Sequence, residues 1–125
     1  MFVAFLAAGC IDSSEVVVTN FPDGTIETKV TFSNGKKNGL FTYYWENGKV
    51  ERTGYYKNDG LDGLIVFYDK NGSDTSHTSL YENGELIENI DYMGVPDKKV
   101  KTDYKNKRTI VYDKNWNIDS IIPHE

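Results

Sequence analysis

Between Thr25 and Phe32 the side chains alternate: Ile26, Thr28, Val30 and Phe32 point one way, and Thr25, Glu27, Lys29 and Thr31 the other. Val50, Arg52, Gly54 and Tyr56 alternate in the same manner with Lys49, Glu51, Thr53 and Tyr55. A period of two is the geometry of a strand with one covered and one wet face. The segments starting at Leu40 and Leu64 differ, because they are apolar on both sides. Leu40, Thr42 and Tyr44 oppose Phe41, Tyr43 and Trp45; Leu64, Val66 and Tyr68 oppose Ile65 and Phe67. No window sustains a 3.6-residue period, and β-branched or aromatic residues fill the intervals, so helix should be nearly absent.

Between these segments stand Asp23-Gly24, Asn34-Gly35, Asn47-Gly48, Asn58-Asp59-Gly60, Asn71-Gly72 and Asn83-Gly84, with the glycines spaced by 11, 13, 12, 12 and 12 residues. Asn-Gly and Asp-Gly supply the positive φ that tight hairpins need. A longer period runs through them. Gly24, Gly48 and Gly72 are 24 apart, and Gly39-Leu-Phe-Thr-Tyr-Tyr44-Trp-Glu-Asn-Gly48 lies over Gly63-Leu-Ile-Val-Phe-Tyr68-Asp-Lys-Asn-Gly72 without a gap. A fixed period of this size marks a repeat array. At the same offset Phe32, Tyr56 and Leu80 fall into one column and Gly39 and Gly63 into another, and such ladders stabilise a repeat sheet.

The expected fold is therefore all-β: an elongated single antiparallel sheet, a meander of β-hairpins built from 24-residue repeats. The array should occupy 21–92, after a short linker and first strand at 11–20. Beyond Asp91 the rhythm loosens. Met93-Gly-Val-Pro96 interrupts it, since proline cannot donate to a ladder, and 93–125 reads as degenerate strands at Val100–Tyr104, Arg108–Asp113 and Ile118–Ile122 that cap the sheet. Tyr112-Asp-Lys-Asn115 echoes Tyr68-Asp-Lys-Asn71, with Trp116 in place of the turn glycine. Lys98, Lys99, Lys101, Lys105, Lys107 and Arg108 crowd this end. Their expected role is to guard an edge strand against edge-to-edge association.

Composition narrows the function. With 9 Tyr, 6 Phe and 2 Trp in 125 residues the chain carries more aromatics than disorder allows. Residues 1–93 hold 7 Lys/Arg against 14 Asp/Glu, a balance of −7, and 94–125 hold 7 against 5, a balance of +2. An acidic body repels phosphate backbones and anionic headgroups, so nucleic acid is not an expected partner. One cysteine precludes an intrachain disulfide, and two histidines, His77 and His124, remove zinc-type sites. No metal and no cofactor is expected. His77 and Ser79 share a face of their strand, opposite Ser76 and Thr78, but no nucleophile elbow accompanies them, so the protein is expected not to be an enzyme.

The first ten residues, Met1-Phe-Val-Ala-Phe-Leu-Ala-Ala-Gly-Cys10, are apolar and end in small residues before the cysteine. They resemble the end of a bacterial lipoprotein signal. By that resemblance 1–10 is a signal and lipobox segment, cleavage follows Gly9, Cys10 carries the lipid, and Ile11 in place of Asp favours the outer over the inner membrane. No Lys or Arg precedes the run, as if Met1 lay downstream of the true start. The alternative is a buried N-terminal strand with an incidental cysteine, in a cytoplasmic protein.

Asn34-Gly-Lys-Lys-Asn-Gly-Leu-Phe-Thr-Tyr-Tyr44, Tyr56-Lys-Asn-Asp-Gly-Leu-Asp-Gly-Leu64 and Tyr81-Glu-Asn-Gly-Glu-Leu86 resemble MORN-repeat variants over about residues 20–92. Bacterial proteins of this kind include antitoxin-like components of toxin–antitoxin systems. The resemblance implies a non-enzymatic, surface-anchored scaffold that binds a protein or surface polymer. The alternative is an antitoxin or immunity-like protein that occludes a basic toxin. Phe41, Tyr43, Trp45 and Tyr55 are the expected contact residues, assigned to the face of Thr25, Glu27 and Lys49, where aromatics would stay partly open. A sugar-binding face built on Trp45, and self-association through the sheet, complete the expectations.

Overall fold

In the computed structural model, residues 13–92 and 97–125 are described; the lipobox expectation at Cys10 lies outside them. Ten strands follow one another: β1 Ser14–Asn20, β2 Ile26–Ser33, β3 Lys36–Tyr44, β4 Val50–Lys57, β5 Gly60–Tyr68, β6 Thr75–Glu82, β7 Glu85–Asp91, β8 Lys98–Asp103, β9 Arg108–Asp113 and β10 Ile118–Pro123. They form one open antiparallel sheet in sequence order, and no helix occurs among the described residues. The fold is the all-β meander of hairpins that the turn signals predict.

From β1 to β7 two kinds of turn alternate along the two ends of the strands. At one end Asn34-Gly35, Asn58-Asp59 and Asn83-Gly84 have positive φ at both central residues. That is the type I′ geometry whose twist matches the flanking strands. At the other end the turns are longer. Phe21 N donates to Thr25 O, Trp45 N to Lys49 O and Asp113 N to Asn117 O, at 2.8, 2.8 and 2.9 Å. The position of Gly24, Gly48 and Gly72 is taken in the last of these by Trp116, with φ 66°. The third long turn is different: Asp69 N reaches Asp74 O, one residue further on.

That extra residue corrects the predicted column. Tyr56 pairs with Leu61 on one face of the sheet, and Gly63 on the same face pairs with Tyr81. Leu80 pairs with Leu64 and points to the opposite side. The structural counterpart of Tyr56 is therefore Tyr81, 25 residues on, because a one-residue slip sends every following side chain of the strand to the other face.

Register rows cross the whole sheet. On one face, called the aromatic face here, Val17, Val30, Phe41 and Gly54 stand side by side, followed by Ile65, Ser79, Asn89, Thr102, Thr109 and Ile122. On the reverse face the matching row runs Val18, Lys29, Thr42, Thr53, Val66, Thr78, Ile90, Lys101, Ile110 and Ile121. The core of β2–β5 lies on the aromatic face, where Val30, Phe41 and Ile65 are buried under Phe32, Tyr43, Tyr56, Leu61, Phe67 and Tyr81. No second layer is needed, since large side chains of the same sheet cover it. Gly54 makes room: a Cβ there would lie 2.3 Å from Ile65 Cδ1 and 3.0 Å from Phe41 Cζ.

The lysine-rich segment also corrects the expectation. β8 and β9 are interior strands, and β10 lies outside them. Lys101 pairs with Glu88 and Arg108 with Asp103 across neighbouring strands, and Lys98 reaches over β9 to Asp119 of β10, so these cations tie strands together. Among the described residues the edges are β1 and β10, which carry exposed Val16, Val17 and Val18, and Ile118, Ile121 and Ile122.

Candidate functional site

The long turns stack, one repeat upon the next. The Trp45 indole N–H donates to Asp69 O at 3.2 Å, and the Asn47 side-chain amide donates to Lys70 O at 2.6 Å. The Asn47 carboxamide oxygen meanwhile accepts from Lys49 N at 2.9 Å, which closes its own turn. In the first turn Asp23 accepts from both the hydroxyl and the N–H of Thr25, at 2.6 and 2.8 Å. The Thr25 hydroxyl and then its N–H hold the Asp23 carboxyl below the usual carboxylate range.

Where β3 leaves the sheet, this stacking leaves a cleft of about 510 Å³ lined by Phe21, Tyr44, Trp45, Glu46, Asn47, Glu51 and Lys70. Phe21 and Trp45 hold the same place in successive repeats, 24 residues apart. The Lys70 ammonium lies 5.8 Å from the Trp45 ring centre, and Lys29 lies 5.7 Å from that of Tyr44. Glu51 approaches Arg52 at 3.7 Å, and among the described residues Glu46 makes no ion pair. Three aromatic rings beside convergent polar groups in a cleft of this size are the usual constitution of a ligand pocket.

The four predicted contact residues do not share a face. Ser33 pairs with Lys36 across the two-residue turn, so even-numbered residues of β2 share a face with odd-numbered residues of β3. Phe41 accordingly stands between Val30 and Gly54, 2% exposed, and is core. Tyr43 pairs with Thr28 and Arg52, meets Phe41 edge-on at 5.6 Å, and carries the Arg52 guanidinium over its ring at 4.3 Å. Both lie opposite the side of Glu27. Tyr55 pairs with Leu40 on the reverse face and is 56% exposed, beside Leu40 at 49%. Of the four, Trp45 alone lines the cleft.

A smaller hollow of about 210 Å³ lies over the core, between Phe41, Arg52, Tyr56, Leu61, Ile65, Phe67 and Tyr81. Burial, then the neighbouring Tyr43 hydroxyl, pushes the Tyr56 phenol up to about 12, against the pull of Arg52. The residues weighed for catalysis are engaged elsewhere. The His77 ring stacks on Phe67 at 3.9 Å, its Nδ1 lies 3.2 Å from the Ser76 hydroxyl, and Ser79 donates to the Asn89 side-chain oxygen at 2.7 Å. Among the described residues no cluster of His, Cys, Asp and Glu could hold a metal ion, and no helix is long and apolar enough to cross a membrane.

Sequence reasoning missed Phe21, Tyr44, Glu46, Glu51 and Lys70. The signal was present in the period: Phe21 and Trp45, Glu46 and Lys70, and Asn47 and Asn71 are each 24 apart, hence neighbours along the stacked turns. A family model for the MORN repeat variant matches residues 37–58. No curated protein and no solved structure matches the chain. The matched stretch runs from β3 through the Trp45–Lys49 turn and β4 to Asn58, so it contains Tyr44, Trp45, Glu46, Asn47 and Glu51 of the cleft. The β3–β4 hairpin is thus similar to the MORN repeat variant, and its sequence recurs in part at an offset of 24, as Gly39–Gly48 lies over Gly63–Gly72.

Proposed function

We propose that the protein is a non-enzymatic binding module that holds a protein partner at the row of long turns, with the aromatic cleft of Phe21, Tyr44 and Trp45 as the anchor point. The observation that carries this reading is the cleft itself. Three repeats contribute to it, and it sets two of the residue types favoured at binding hot spots, Trp and Tyr, beside an apolar ring at one rim of the sheet. In this reading Cys10 tethers the module to the cell envelope and the acidic body attracts the partner, as an antitoxin-like protein would attract a basic toxin.

Capture of partners from envelope extracts by the full-length protein tests the reading, with thermal melts run on each variant. Trp45→Ala and Tyr44→Ala should lose partners that Tyr55→Ala, on the reverse face, retains. The opposite order would end the proposal. Mass analysis of the N-terminus tests the tether, and an unmodified Met1 would remove it.

A further inference from the structure

We infer that the cleft at Phe21, Tyr44 and Trp45 recognises a basic side chain, a lysine or arginine presented by the protein partner. This rests on the reading above and gives the ligand its chemistry. Aromatic rings attract cations through the negative charge of their faces, most strongly when tryptophan supplies the ring. The rings of this sheet are used in that way five times: Lys29 on Tyr44, Lys37 on Tyr56, Arg52 on Tyr43, Lys70 on Trp45 and Lys99 on Trp116. Two of those rings, Tyr44 and Trp45, line the cleft.

The cleft sets one unanswered carboxylate beside the rings. Glu46 and Glu51 both line it with the Lys70 ammonium, Arg52 lies 3.7 Å from Glu51, and Glu46 has no ion pair among the described residues. The −7 balance over residues 1–93 gives the long-range field of the chain the same sign, so a basic group is drawn in from a distance. A neutral sugar ring would use the aromatic faces and leave this charge unanswered. An acidic group would be repelled by it. Lys70 already shows an ammonium settling over the Trp45 ring, and a partner's cation adds a second beside Glu46.

The two tryptophans give the test an internal control, because Trp45 lines the cleft while Trp116 lies against Lys99, 4.3 Å from its ring. The probe is an acetylated, amidated tetralysine peptide, titrated at low salt into the 15N-labelled full chain. Trp116→Phe assigns the two indole N–H signals. The Trp45 indole signal should move saturably and that of Trp116 should stay nearly still. Glu46→Gln with Glu51→Gln should weaken the peptide about tenfold, as the loss of two rim charges predicts. Glu82→Gln with Glu85→Gln, on the far row of turns, should leave it unchanged. Equal weakening by both pairs, or an unmoved Trp45 signal, would overturn the inference. So would saturable movement of Trp45 by cellobiose that tetralysine fails to reproduce, and in that case the cleft would stand as a binding site with only its cation chemistry removed. If partner capture is also indifferent to Trp45→Ala, the binding reading falls with it.

Discussion

β3 and β5 differ from β7 by one backbone feature, and the difference decides which face of the sheet is covered. In β3 the pairs Val30 with Phe41 and Phe32 with Lys37 leave Thr31 opposite three residues, 38–40, with Gly39 at φ 125°. β5 repeats this: Gly54 stands opposite 63–65, with Gly63 at φ 77°. β7 has no glycine at that place, and the pairs Leu80 with Glu88 and Tyr81 with Leu86 leave only Ile87 extra. Two extra residues preserve the alternation of faces and one reverses it. Phe41 and Ile65 therefore share the aromatic face, whereas Ile90 turns to the reverse face beside Thr78 and Lys101. The buried residues that follow, Asp103 and Ile110, are on that reverse face. A strictly periodic sequence keeps one core; a single altered bulge moves the core through the sheet.

The contrast breaks most sharply at its buried residues: Phe41→Ala should cost about 3–5 kcal/mol by denaturant unfolding, while Ile110→Val in the second half should cost about 0.5–1.5 kcal/mol. Comparable losses would show that the two cores are equal. Gly54→Ala comes next. Its Cβ would collide with Ile65 Cδ1, and overpacking of this kind costs about 1–3 kcal/mol. Ile65→Val, which removes that carbon, should recover most of the loss in the double variant.

The smallest effect is local and set by pH. Asp103 accepts from the Asn106 side chain and N–H and from Arg108, and Asp113 from the Asn117 side chain and N–H. These bonds, the asparagine side chains first, lower both carboxyl pKa values. A carboxyl whose folded pKa is lowered contributes stability above its unfolded value, and that contribution is lost as pH falls through the folded one. Acidification below the usual carboxylate range should thus open the turns at 103–108 and 113–117 before the Asn34-Gly35 and Asn83-Gly84 turns, which lack such acceptors of their own. Amide signals followed against pH would check the order. At the alkaline end Tyr56 should ionise near pH 12, and as its folded pKa is raised, its contribution is lost as pH climbs above the ordinary tyrosine value.

Much of the fold was legible because turn chemistry is local. Asn34-Gly35 needs no distant partner to adopt two positive φ values, and the Tyr112–Asn115 echo located the last turn even though Trp116 had replaced its glycine. The strand predicted at Arg108–Asp113 is β9 itself. The candidate site was less legible. Assigning Phe41, Tyr43, Trp45 and Tyr55 to one face required knowing how β3 pairs with β2 and β4, and pairing is a relation between strands. Trp45 survived as a cleft residue because it sits at a turn, where the period alone sets its neighbours.

The period, the bend positions and the alternation within each strand belong to the sequence, since each is fixed by torsional preference and by which side chains water rejects. The choice of covered face, the burial of Phe41 over Gly54 and the joining of Phe21, Trp45 and Lys70 into one cleft arose only in the assembled sheet. The physical reason is that register accumulates: every turn and bulge adds or withholds one residue, and the face a side chain meets is the sum of all of them.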